Sequence, residues 1–195
     1  MIYQIFLIFV SASLVSSQDE SGVKEADTAW MIVASCLVMI MTPGLAFFYG
    51  GLVRQKSFVS ILGQCLIIFS IVTGLWAFIG YSLAFGDSKS EFLGGVDLFS
   101  LRNVNYEPND YAPTIPGLLF YFYQNKFATI TPCLFVGATA ERVRFKSVVI
   151  LCSLWLIVVY CPIAHWNWNI HGFLKTLGIE LFLISSKKKI HPRGA

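Results

Sequence analysis

The sequence predicts an all-α fold: a polytopic bundle of helices that spans a membrane about four times. Three observations carry this. Hydrophobic residues make up 56% of the 195-residue chain and charged residues only 13%, a balance outside the soluble range. Four apolar runs are each long enough to cross a hydrocarbon core of about 30 Å at about 1.5 Å of rise per residue. None shows the strict alternation of barrel strands, and in lipid only helices and closed barrels satisfy their own backbone groups. The formal charge of +3 is small and forms no basic stripe on a polar helix, which argues against a nucleic-acid partner.

The elements follow in order. Residues 1–17, "MIYQIFLIFVSASLVSS", combine a short apolar core with small residues and precede a run of acids. They read as a signal peptide cleaved near Ser17–Gln18, too short to span, with a short membrane anchor as the competing reading. The four spans are expected at about 28–51, 59–85, 115–140 and 147–166. Arg54 and Lys56 follow the first, and Arg142, Arg144 and Lys146 follow the third, so both short loops should be cytoplasmic. The segment before the first span and the long loop after the second are rich in Asp and Glu and should lie outside. Leu177–Ile184 is too short to cross, and residues 181–195 form a basic tail on the side where the pattern asks for none. A re-entrant segment or the start of a further span would each explain it.

Helix-breaking residues recur inside the spans. Pro43 with Gly44, Ser70 with Gly74, Gly63, Gly80, and Pro132 with Gly137 all suit helices that face protein, where neighbours cover freed backbone and approach closely. Ordinary packing in any multi-span protein is the plainer reading. The five cysteines lie in apolar segments without a CxxC pair or zinc spacing, so no metal or cofactor is expected. No buried acid pair or nucleophile triad suggests an enzyme. Trp168 on its own suits an interfacial belt, and Tyr123, Gln124 and Phe127 suit helix packing.

Read as strings, three pieces resemble the ammonium transporter family. "DTAWMIVASCLVMIMTPGLAFFYGGLVRQK" at 27–56 resembles its first membrane helix and following loop. "GATAERVRF" at 137–145 resembles its signature after the third helix, and "YCPIAHWNW" at 160–168 the end of its fourth. The resemblance implies that residues 18–180 are the N-terminal part of a fold of normally eleven helices. It implies homotrimers, an ammonium or ammonia substrate, and residence in the plasma membrane, where the loop charges put the N-terminus outside. Trp168 matches the vestibule tryptophan, where an ammonium ion over the indole face gains about 0.5–2 kcal/mol. Phe127 matches the outer gate ring, with Tyr123 and Gln124 one turn earlier at the pore mouth. Glu180 lies one residue before the family's buried Asp and is a low-ranking stand-in for it. Lys126 departs from the pattern: it falls mid-span, where a cation is costly, with no acid within one helical turn. His165 is placed to cap or hydrogen-bond near a span end, and neither it nor His171 nor His191 matches the family's pore histidines. The functional expectation is ammonium transport. The alternatives are a truncated, non-conducting product that associates with full-length subunits, and a membrane receptor or scaffold.

Overall fold

The computed structural model describes residues 22–88 and 90–176. The expected signal peptide, Glu180 and the basic tail lie outside the described residues. Helix α1 runs Glu25–Leu52 and carries Pro43 without interruption. A single 3₁₀ turn, Gln55–Ser57, leads into α2, Phe58–Leu75. A widened π turn at Trp76–Gly80 joins α2 to α3, Tyr81–Phe85, so that one rod extends over Gln55–Phe85. The long loop that follows folds a small antiparallel hairpin of β1, Pro108–Asn109, and β2, Ala112–Pro116, with Pro108 opposite Pro116. Helix α4 is Gly117–Thr139. Helix α5, Phe145–Trp155, passes through a second π turn, Leu156–Tyr160, into α6, Cys161–Trp168. A short α7, Phe173–Thr176, closes the described chain.

Three of these rods are long and apolar enough to cross a membrane: Glu25–Leu52, Gln55–Phe85 and Phe145–Trp168. The fourth expected span, α4, is not among them. Its 23 residues give about 34 Å of helix, which is sufficient length. Its composition is the difference, because Tyr121, Asn125, Lys126 and Thr129 are all buried within the protein. Helix α4 packs against α1, α2 and α5, which places it at the centre of the bundle. A helix enclosed by protein has no need of an apolar surface all round. The outer rods bury a thin stripe and leave Leu37, Phe48, Leu66, Leu154 and Val158 exposed, as a lipid-facing surface requires.

The glycines divide into two classes. A Cβ at Gly137 would overlap the ring of Tyr49, so α1 and α4 approach closely only because that position has no side chain. At Gly50 a Cβ would meet the Phe58 ring at 2.8 Å. Gly44, Gly63 and Gly74 have nothing within 4 Å of an added Cβ. The expectation of tight helix contact therefore fails at these three positions and holds at Gly137, where small size is used.

The two π turns face each other. Trp76 and Tyr160 meet edge to face at 5.8 Å, and Gly80 lies beside the Cys161 sulfur. Each wide turn inserts one extra residue and re-aims the rest of its rod, which brings α3 onto α6. All five cysteines are free. Two buried thiols bond across helices, Cys133 Sγ to the Cys65 carbonyl and Cys152 Sγ to the Pro132 carbonyl, both at 3.7 Å.

Candidate functional site

The long loop 86–116 and the ends of α3 and α6 gather at one end of the bundle. The start of α1 joins them, since the Lys24 amide donates to the Thr114 carbonyl at 2.8 Å. This is the grouping that the acidic segments led one to expect. The loops 53–57 and 140–144 meet at the opposite end. There Arg54 Nε and Ser57 Oγ both donate to Glu141 Oε1, at 3.0 and 2.7 Å. The Ser57 and Arg54 bonds hold the Glu141 carboxyl below the usual carboxylate range. Two motifs singled out in the sequence thus touch through a hydrogen-bonded ion pair.

At the long-loop end, a helix C-terminus leaves carbonyls without intrahelical partners. Here α6 supplies the partners for α3. His165 is fully buried, with Nδ1 3.1 Å from the Ala84 carbonyl and Nε2 3.2 Å from the Ser90 carbonyl. Asn169 Nδ2 donates to the Ala84 and Gly86 carbonyls at 3.2 and 3.4 Å. Trp166 Nε1 donates to the Phe92 carbonyl at 2.9 Å. From the other side Ser82 Oγ donates to the Gly95 carbonyl at 2.8 Å and accepts from the Leu98 amide at 3.2 Å. Tyr111 donates to the Phe85 carbonyl at 3.1 Å. Burial pushes the Tyr111 hydroxyl up to about 12. Asn169 and Trp166 were not foreseen from the sequence. The four-residue interval from His165 to Asn169 at the end of an apolar run is the signal that could have found the pair.

Trp168 is the last residue of α6, 37% exposed at this same end. The turn that carries it is held by His165, Trp166 and Asn169. Tyr123 and Phe127 lie one turn apart on α4, half-buried, with ring centroids 5.0 Å apart at 75°. Gln124 is half-buried beside them. Phe127 is ten residues into α4, about 15 Å from the helix start. Among the described residues, no ring contact joins Trp168 to Tyr123 or Phe127. The structure thus forms the Tyr123–Phe127 pair. Lys126 points to a different neighbour, the aromatic seam between α2 and α4, where its Nζ is 3.7 Å from the Phe122 ring centroid. A second ring, Phe69 of α2, lies 5.7 Å from the same Nζ. A polar cavity of about 120 Å³ at the long-loop end is lined by Tyr81, Asn103, Asn105, Glu107 and Asn109. Among the described residues no group of three or more His, Cys, Asp or Glu could hold a metal ion.

Comparison with known proteins places this geometry. The model of the Ammonium Transporter Family matches residues 29–181. Ammonium transporter 1 of Schizosaccharomyces pombe is 41% identical over 152 residues, covering 78% of this chain and 31% of the relative. The ammonium transporter of Bacillus subtilis is also 41% identical over 152 residues, covering 78% of this chain and 37% of its own. The crystal structure of Candida albicans Mep2 superposes with a TM-score of 0.74 at 36% identity, over 84% of this chain and 36% of that one. The chain spans about a third of the length of these relatives.

Proposed function

This chain belongs to the ammonium transporter family, and from that premise we propose that it serves transmembrane ammonium transport at its long-loop end. Trp168 recruits the ammonium cation there, exposed on a turn that the hydrogen bonds of buried His165 and Asn169 and of half-buried Trp166 hold in place. The cation's attraction to an indole face grows as water is removed. Phe127 and Tyr123 form the ring pair that the substrate passes, with Gln124 beside them. The observation that carries this reading is family membership at 41% identity, joined to the Tyr123–Phe127 edge-to-face pair at the positions to which the resemblance assigns the outer gate and pore mouth. Glu180 retains its low rank as an acidic support.

A multi-pass membrane position follows from the three membrane-length helices and the family. Plasma-membrane residence follows the family resemblance, and the placement of the long-loop end and the N-terminus outside rests on the charge of the loops. Cysteine-accessibility labelling at a residue placed in loop 86–116 checks it: an impermeant reagent applied to intact cells should react there and not in loop 53–57.

A second reading has its own support. Gly44, Gly63 and Gly74 present uncovered small-residue surface. Such faces suit association with full-length subunits or a homotrimer. Methylammonium uptake in cells that lack ammonium transport separates the two. Uptake by the chain alone, abolished by Trp168→Leu or Phe127→Ala, supports transport. Absent uptake, with a full-length subunit slowed on co-expression, supports the associating fragment. A chain that neither conducts nor changes the full-length subunit's rate sinks both and leaves a receptor or scaffold role.

A further inference from the structure

Lys126 is the one charged residue of α4, and it is 1% exposed. Its Cβ tilts toward the helix start, as every helical Cβ does, so the side chain reaches back over the preceding turn. There Nζ lies 3.7 Å from the centroid of Phe122, four residues earlier, and 5.7 Å from that of Phe69 on α2. Two rings from two helices thus flank one primary ammonium group in a place that water does not reach. A cation over an aryl face is attracted by the ring's quadrupole, and the attraction strengthens when the group is desolvated. Leaving a cation in the middle of a bundle without such a surface would be strongly unfavourable.

We propose that the cleft between Phe69 and Phe122 is a recognition site for a primary alkylammonium ion, and that Lys126 is its resident, covalently tethered occupant. The chemistry it selects is a short aliphatic stem ending in a primary ammonium. The stem packs between the helices and the head lies on the rings. Tethering keeps the site filled, which closes it to free ammonium ions one residue away from the Phe127 face. The inference stands on the geometry of the two rings and does not require that the chain conduct.

Chemical rescue tests it. Lys126→Ala removes the atoms of n-propylammonium and leaves the two rings. The purified variant in detergent should lose roughly 5 °C in Tm. Propylammonium chloride should then restore it: a site of about 10 mM affinity returns about 4 °C at about 100 mM ligand. The wild type should not respond, because its site is filled. Tetramethylammonium chloride, sodium chloride and 1-propanol at equal concentration should restore little. Adding Phe122→Leu to Lys126→Ala should weaken the rescue several-fold. Equal rescue by sodium or tetramethylammonium reduces the effect to salt, and equal rescue by 1-propanol reduces it to cavity filling. Either result, or no rescue, overturns the proposal. Should Lys126→Ala not fold, a cycle of Lys126→Met and Phe122→Leu decides. The Tm loss from Phe122→Leu should shrink in the Met background, and equal losses in both backgrounds would contradict a cation-recognising cleft.

Discussion

The two ends of the bundle are held together by different physics. At the long-loop end, buried side chains of α6 and α3 donate to backbone carbonyls, with His165, Asn169 and Ser82 at the centre. At the short-loop end, α1 and α4 approach closely through Gly137 against Tyr49, and the loops join by a pair whose Arg54 side chain is 67% exposed. Directional bonds in a dry setting fix orientation, because each unmade bond leaves a buried polar group at full desolvation cost. Close packing fixes separation, and an exposed ion pair adds little. The difference teaches that the end carrying Trp168 is specified in geometry, while the other end is specified mainly in distance. A recruiting surface needs the former.

The sharpest way to break this contrast is His165→Ala. It strips the ring from two carbonyls and leaves a void, a loss of about 3 kcal/mol or roughly 6–12 °C in Tm by differential scanning fluorimetry. Arg54→Ala at the other end should move Tm by no more than about 2 °C. Equal effects would erase the distinction between the ends. Next in size, Gly137→Ala should cost about 1–3 kcal/mol through overpacking on Tyr49, whereas Gly74→Ala should be neutral or slightly stabilising by helix propensity. Urea titration of both variants checks the pair.

Tyr111→Phe should cost about 1 kcal/mol by removing the bond to the Phe85 carbonyl. Its pH dependence has a definite sign. The folded hydroxyl is raised to about 12, so its contribution is complete below the ordinary tyrosine value of about 10 and declines as pH climbs toward 12. Ultraviolet titration should lose one late-ionising tyrosine in the Phe variant. The smallest effect is at Glu141. Its carboxyl is depressed, so its contribution is present above the ordinary glutamate value of about 4.3 and is lost as pH falls through the lower folded value. Glu141→Gln should lower Tm slightly near pH 7, where the contribution is present, and flatten the Tm profile between about pH 5 and 3.

Much of the fold was legible because apolar length is written locally. The runs that became α1, α2–α3 and α5–α6 need no neighbour to be recognised. Helix α4 was legible as a helix, yet its central position was not, because Lys126 meets the Phe69 ring only once α2 is packed alongside. The glycines show the same limit. Composition marks Gly63, Gly74 and Gly137 alike, and only the neighbouring helix decides that a Tyr49 ring meets Gly137 while Gly74 meets nothing. At the candidate site, the string "HWNW" led to Trp168 through resemblance. The work of His165 and Asn169 stayed hidden because their acceptors lie 75 or more residues away in the chain.

The central claim is that Trp168 recruits ammonium at the long-loop end, and equilibrium binding measures it most directly. Radiolabelled methylammonium should bind the purified protein saturably, and Trp168→Leu should weaken that binding about 2- to 30-fold, the range a cation–π contact supplies. Saturable binding of undiminished strength in Trp168→Leu would contradict the account.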